Sequence, residues 1–229
     1  NAARDVLVAN YGKGTPSYKR FGNDSEALNQ AETLARTNLY SAALYYHQQA
    51  SEYYSQEKQE VALQYFKAAS TAYRNYLERY PHDKNAYELS YYLAETYYYS
   101  LRFEDAVAQY EAVRDSPAGT HYRGEAGLNA VYAYEKIIEQ AVQTGRLEKR
   151  EIFAGKRDPN IKPEPIPELR QKYITAIDRF LDRGADHFVD RRAGLAGIGI
   201  DRQAEYLLGQ RADVDTVARE GLGRVFAFG

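Results

Sequence analysis

The sequence predicts an all-α fold, a right-handed superhelical array of antiparallel helical hairpins with long helices. Three observations carry that reading. From Tyr87 to Tyr110, large and small residues recur at helical spacing on both sides of a short turn, with Leu93, Ala94 and Tyr97 before it and Ala106 and Tyr110 after it. The same order recurs upstream, with Tyr46, Ala50 and Tyr53 in a first helix and Ala62 and Phe66 in a second. Ala50 stands as far from Ala62 as Ala94 does from Ala106. Turn formers close both copies, Tyr80-Pro81 the first and Ser116-Pro117-Ala118-Gly119 the second. Small residues let two helical backbones approach closely, and the aromatics fill the space above and below that contact.

Taken in order, residues 1–24 form a separate N-terminal segment, with an apolar stretch Val6-Leu7-Val8-Ala9 and then a glycine-, lysine- and proline-rich loop. Asn23 and Glu26 suit the cap of a long helix from about Ser25 to Gln56, whose Leu28, Ala31, Leu34, Ala35, Leu39, Ala42, Ala43 and Tyr46 share one broad face. Its charged and amide residues fit the polar outer face that a terminal unit needs. The next helix runs on through Tyr73, Tyr76 and Leu77 until Pro81, which lacks the amide donor and clashes with the preceding turn. Asn85 and Glu88 resemble a capping box for the following helix. A fifth helix is expected from about Glu125 to Thr144, with small residues at Ala126, Ala130 and Ala133. A charged, proline-rich connection at 145–166 delays its partner, which Pro167 and Glu168 introduce and Gly184 closes. A last hairpin is traced through Tyr206 and Leu207, then Val217 and Leu222, against the helix-weakening effect of its glycines. Residues 25–229 are thus expected to form a single repeat domain.

Composition excludes several classes. The net charge is −2 and basic residues alternate with acids, so no basic stripe points to nucleic acid. No apolar run approaches the length of a membrane span. Cysteine is absent, which removes disulfides, thiol nucleophiles and thiolate metal sites. His47, His82, His121 and His187 never pair at ligand spacing, so neither a metal nor a cofactor is expected. Gly12-Lys13-Gly14-Thr15 lacks phosphate-loop spacing, and the glycines at 194–199 have the wrong order for a dinucleotide fold. Methionine is absent even at position 1, so the chain is expected to begin inside a longer precursor or after a cleaved signal. There is no nucleophile elbow and no paired histidine, and no catalytic residue is assigned.

The two hairpins from about Ala43 to Pro117 resemble tetratricopeptide repeats, although the period is about ten residues longer than usual because the helices are extended. The run Ala72-Tyr73-Arg74-Asn75-Tyr76-Leu77-Glu78-Arg79-Tyr80-Pro81, followed by Tyr92-Leu93-Ala94-Glu95-Thr96-Tyr97-Tyr98, is similar to bacterial cell-envelope members of that family. These include outer-membrane assembly lipoproteins, the coordinator of the Tol-Pal system, and periplasmic proteins of gliding and predatory bacteria. The resemblance covers about a third of the chain. It implies a non-catalytic scaffold that holds a protein partner in an envelope complex, periplasmic or attached to the outer membrane, with a cytoplasmic location as the alternative. A second reading is an accessory or regulatory module of a longer enzyme or transport protein.

In such an array the first helix of each hairpin lines the inner wall, which makes its outward residues candidates for gripping a partner. In the second hairpin these are Glu88, Tyr91, Glu95, Tyr98 and Tyr99; upstream they include His47 and Tyr54. Tyrosine offers a flat apolar ring with few rotatable bonds, hence a low ordering cost at an interface. Burial of some of these rings under a neighbouring hairpin is the alternative, since aromatics at helical spacing are usually core. A tyrosine and glutamate wall suits a segment carrying arginine, lysine or proline rather than a free carboxylate. Such faces also serve self-association, so the oligomeric state stays open. The 145–166 connection reads as a solvated linker, with a docking arm as its alternative.

Overall fold

Proline, glycine and left-handed backbone residues divide the chain into helices that pack in sequence order. The computed structural model describes residues 25–149 and 165–183, together with Thr15, Pro16 and Lys19. Within 25–183 its helices are α1 (Ser25–Ser55), α2 (Gln59–Arg79), α3 (Ala86–Tyr99), α4 (Phe103–Asp115), α5 (Arg123–Gln143) and α6 (Glu168–Arg183). No strand occurs among the described residues. Each helix packs on the next one along the chain, α1 on α2 through to α5 on α6. The expected hairpin at 204–225, the N-terminal segment before Thr15, the proposed Asn23 cap and most of the 145–166 connection lie outside the described residues.

The first two hairpin turns share one geometry, and the third shares its left-handed residue. At the end of α1, Lys58 N–H donates to the Tyr53 carbonyl and Glu57 N–H to that of Tyr54, both at 3.0 Å. At the end of α3, Arg102 N–H donates to Tyr97 (2.9 Å) and Leu101 N–H to Tyr98 (3.0 Å). This is the Schellman pattern, and it requires a left-handed residue after the helix. Glu57 (φ 60°), Leu101 (φ 62°) and Gly145 (φ 70°) occupy that place and recur at equal intervals along the chain. Two of the three carry a Cβ that this conformation disfavours by about 1–2 kcal/mol. Because Leu101 is exposed, Leu101→Gly is expected to stabilise the protein. Glycine's larger unfolded-state entropy takes back about 0.5–1 kcal/mol, leaving a net gain of about 0.5–1 kcal/mol. A higher urea midpoint with an unchanged m-value checks it.

Helix stops follow the prolines. Tyr80 closes α2 by donating its N–H to the Tyr76 carbonyl at 2.8 Å, one residue before Pro81. Ser116 leaves α4 in extended conformation (φ −66°, ψ 132°), as a residue before proline prefers. Gly119 then passes over the Tyr87 ring, where an added Cβ would come within 2.5 Å of Tyr87 Cδ1. The capping box does not form. Asn85 is itself in helical conformation and makes no side-chain cap bond. Its N–H is taken by the Asp83 carboxylate at 2.9 Å, while Glu88 is drawn away by tyrosine hydroxyls.

The main core runs through all six helices and is built on fully buried alanines, Ala43, Ala69, Ala94, Ala106, Ala126, Ala130 and Ala133, beside large rings such as Tyr73, Tyr76 and Tyr110. A smaller cluster of Ala50, Ala62 and Phe66 sits near the turn of the first hairpin. Of the residues assigned to repeat packing, Ala50, Ala62, Phe66, Leu93, Ala94, Tyr97, Ala106 and Tyr110 are buried. Tyr46 and Tyr53 are half-buried, with Tyr53 stacked on Tyr65 at 5.2 Å. Tyr53 lies late in α1 and Tyr65 early in α2, whereas Arg79, the last residue of α2, pairs at 3.0 Å with Glu32 near the start of α1. The two helices are therefore antiparallel. Arg36 adds a second clasp at the same end, bonding Asp83 at 3.2 Å. At the far end of the array, α6 buries Ala176, Phe180 and Leu181 and exposes Gln171, Lys172, Thr175, Asp178 and Arg179.

Candidate functional site

The first helices of the three hairpins, α1, α3 and α5, meet through side chains, and every predicted partner-binding residue lies along this seam. At one end the seam is closed. Tyr91 is only 8% exposed. Its ring stacks on Tyr122 (centroids 4.3 Å apart, planes 9° apart), and its hydroxyl accepts a hydrogen bond from Asn129 Nδ2 at 3.1 Å. Tyr122 precedes α5 directly, so the incoming chain lays its ring across α3. Glu88 accepts hydrogen bonds from the Tyr92 hydroxyl at 2.8 Å and the Tyr122 hydroxyl at 3.1 Å. Tyr91 and Glu88 thus join the second hairpin to the third. The expectation that Tyr91 stands on an open face is corrected by this stacking.

The middle of the seam is half-buried. His47 touches Phe66, Tyr73 and Tyr92 edge-on, at 6.0, 5.7 and 5.8 Å between centroids. Its Nδ1 shares a 3.0 Å hydrogen bond with the hydroxyl of the fully buried Tyr73. Burial lowers the imidazole pKa to about 4, so the ring is neutral near pH 7. His47 therefore acts as a packing residue between α1, α2 and α3 rather than as an open contact. Glu95 lies one turn beyond Tyr91 on α3 and is partly exposed. Burial, aided by the Glu125 charge, holds its carboxyl above the usual carboxylate range, against a hydrogen bond from Tyr91 that favours ionisation.

The other end, next to the hairpin turns, is open. Tyr54 is 51% exposed and Tyr99 38%. Their rings meet edge-on at 5.3 Å. Tyr99 also stacks on the buried Phe66 at 5.0 Å and 17°, and Tyr98 packs edge-on against both Tyr99 (5.5 Å) and Phe103 (5.3 Å). The result is an aromatic ledge fixed from beneath by core rings, with Leu101 exposed beside it on the turn. Aromatic rings held in this way lose little freedom on contact with a partner.

Sequence reasoning missed Tyr122, Asn129 and Tyr92. The signal was present, because projecting the outward face of the fifth helix as was done for α1 and α3 brings Asn129 and Glu125 to the seam. Among the described residues, no group of three or more histidine, aspartate and glutamate side chains is placed to hold a metal ion. No described helix is long and apolar enough to cross a membrane. No family model matches the chain, and neither a curated protein nor a solved structure matches it.

Proposed function

We propose that this chain is a non-catalytic scaffold of the tetratricopeptide type, a superhelical repeat array that holds a protein component of a bacterial envelope complex in the periplasm or at the outer membrane. Its partner-contact surface is the open end of the α1/α3 seam. The observation that carries this reading is the pre-packed aromatic ledge in which Tyr54 and Tyr99 are exposed beside the half-buried Tyr98. Large apolar rings left in water at a junction between helices, yet rigidified from below, are the composition of an interface hot spot. The recurrence of a left-handed residue after the first helix of three successive hairpins supports the repeat architecture. The envelope assignment rests on the tyrosine-rich phrases around Tyr80-Pro81 and Tyr92–Tyr98.

Affinity capture from the native organism's solubilised envelope and from its cytosol, with wild-type protein beside Tyr54→Ala/Tyr99→Ala and Tyr91→Ala, tests it. The ledge variant is expected to lose roughly 2–4 kcal/mol of partner affinity with its helical circular dichroism intact. Tyr91→Ala, which alters the closed joint, is expected to lower stability more than affinity. Partners found only in the cytosol would refute the envelope assignment. A partner bound equally by the ledge variant would refute the contact face.

A further inference from the structure

Three carboxylates that hold an arginine set the contrast for Glu95. Asp83 has Arg36 at 3.2 Å, Glu32 has Arg79 at 3.0 Å and Asp115 has Arg114 at 2.7 Å. Glu95 has no lysine or arginine at ion-pair distance among the described residues. Its charge is instead felt by the hydroxyls of Tyr73, Tyr91, Tyr99 and Tyr110. A second carboxylate, Glu125, lies close enough to disfavour its ionisation. A partly desolvated anion without a counter-cation is unfavourable in the free protein, and a cation supplied from outside removes that penalty. The position is specific. Glu95 and Tyr99 are one helical turn apart on α3 and so share a face, and Tyr54 closes on Tyr99 from α1 at 5.3 Å. The carboxylate therefore borders the aromatic ledge.

We infer that the partner enters this site with an arginine side chain, its guanidinium paired with the Glu95 carboxylate and lying against the rings of Tyr99 and Tyr54. This deepens the scaffold reading and rests on it. Arginine fits better than lysine because a planar, weakly hydrated guanidinium stacks on an aromatic face while its N–H fork bonds a carboxylate. An uncharged proline-rich segment would use the rings but leave the carboxylate without a counter-cation. Glu95 then exists at the expense of the free fold. Because burial holds its carboxyl above the usual range, the ionised form is the one the fold disfavours near neutral pH. Glu95→Gln is accordingly expected to raise the thermal midpoint of the free protein while it weakens binding.

The test is an NMR titration of the isotope-labelled full chain with N-acetyl-Ala-Arg-Ala-amide and with its neutral citrulline isostere. The arginine peptide is expected to give saturable shifts confined to Tyr54, Glu95, Tyr98 and Tyr99. Affinity should fall at least tenfold both for the citrulline peptide and in Glu95→Gln. Equal binding of the two peptides, binding unaffected by Glu95→Gln, or the absence of localised shifts would overturn the inference. The two levels separate with a captured partner. One that loses affinity in Tyr54→Ala/Tyr99→Ala but binds Glu95→Gln as tightly as wild type removes the arginine and leaves the scaffold. One indifferent to both variants removes the contact face as well.

Discussion

Replacing Tyr110 with alanine is expected to lower stability by about 4 kcal/mol, the largest loss from any single substitution considered for this chain. Tyr110 is fully buried on α4 and faces Tyr91 of α3 at 6.0 Å between centroids. Tyr91 in turn carries the Tyr122 stack and the Asn129 hydrogen bond that tie α3 to the third hairpin. Truncation would therefore remove a large ring and leave a void directly beneath the closed joint. The surrounding helices are held close by Ala94 and Ala106, both fully buried, whose short side chains cannot fill the gap. Tyr110→Phe keeps the ring and is expected to lose no more than about 1.5 kcal/mol, as a near-isosteric swap does. Urea unfolding of the two variants checks the ratio. A changed m-value for the alanine variant would indicate that the hairpins no longer unfold together, since nearest-neighbour contacts alone couple units of a repeat array.

Arg114→Ala is expected to cost about 3 kcal/mol by a different route. Its side chain is 0% exposed, although it sits in the last turn of α4. The guanidinium makes two bonds to Asp115, from Nε at 3.0 Å and from the terminal nitrogen at 2.7 Å, and reaches Glu111 at 3.5 Å. Its stem fills the space over Gly127, where an added Cβ would lie 3.6 Å from Arg114 Cδ and 3.3 Å from Phe180. One side chain thus serves as ion-pair centre and as packing for the α4, α5 and α6 contact. The two acids are partly exposed, so water can take them back once the arginine is gone, and the loss is mainly one of volume. Arg114→Met, which restores the stem without the charge, is expected to recover half of the loss or more. Equal destabilisation by Ala and Met would show that the charge matters more than the packing.

The elements legible in the sequence were those fixed by local chemistry. Pro81, Pro117 and Pro167 act on their own neighbours, and the alternation of alanine with tyrosine records where helices must approach. The helix ends at Arg79 and Asp115 and the start of α6 at Glu168 follow from those prolines. What the sequence concealed depends on residues distant along the chain. Asn85 and Glu88 have capping-box spacing, yet Asp83 takes the amide and two tyrosine hydroxyls take the carboxylate. The outward face of α3 was visible as a stripe, but not that Tyr122 would cover its Tyr91 end and leave the Tyr99 end bare. The left-handed residues Glu57 and Leu101 gave no sign either, because neither is the glycine or asparagine that such a position favours.

The central claim, that a protein partner docks on the open end of the α1/α3 seam, is tested most directly by site-specific photo-crosslinking in the native organism. A photoreactive phenylalanine analogue would replace Tyr54 or Tyr99 on the first helices, and Lys67 or Glu104, exposed on the second helices. Discrete adducts to the same partner from positions 54 and 99, with none from 67 and 104, are the predicted result. Adducts from 67 or 104 with none from 54 and 99 would place the partner on the opposite surface and contradict the account.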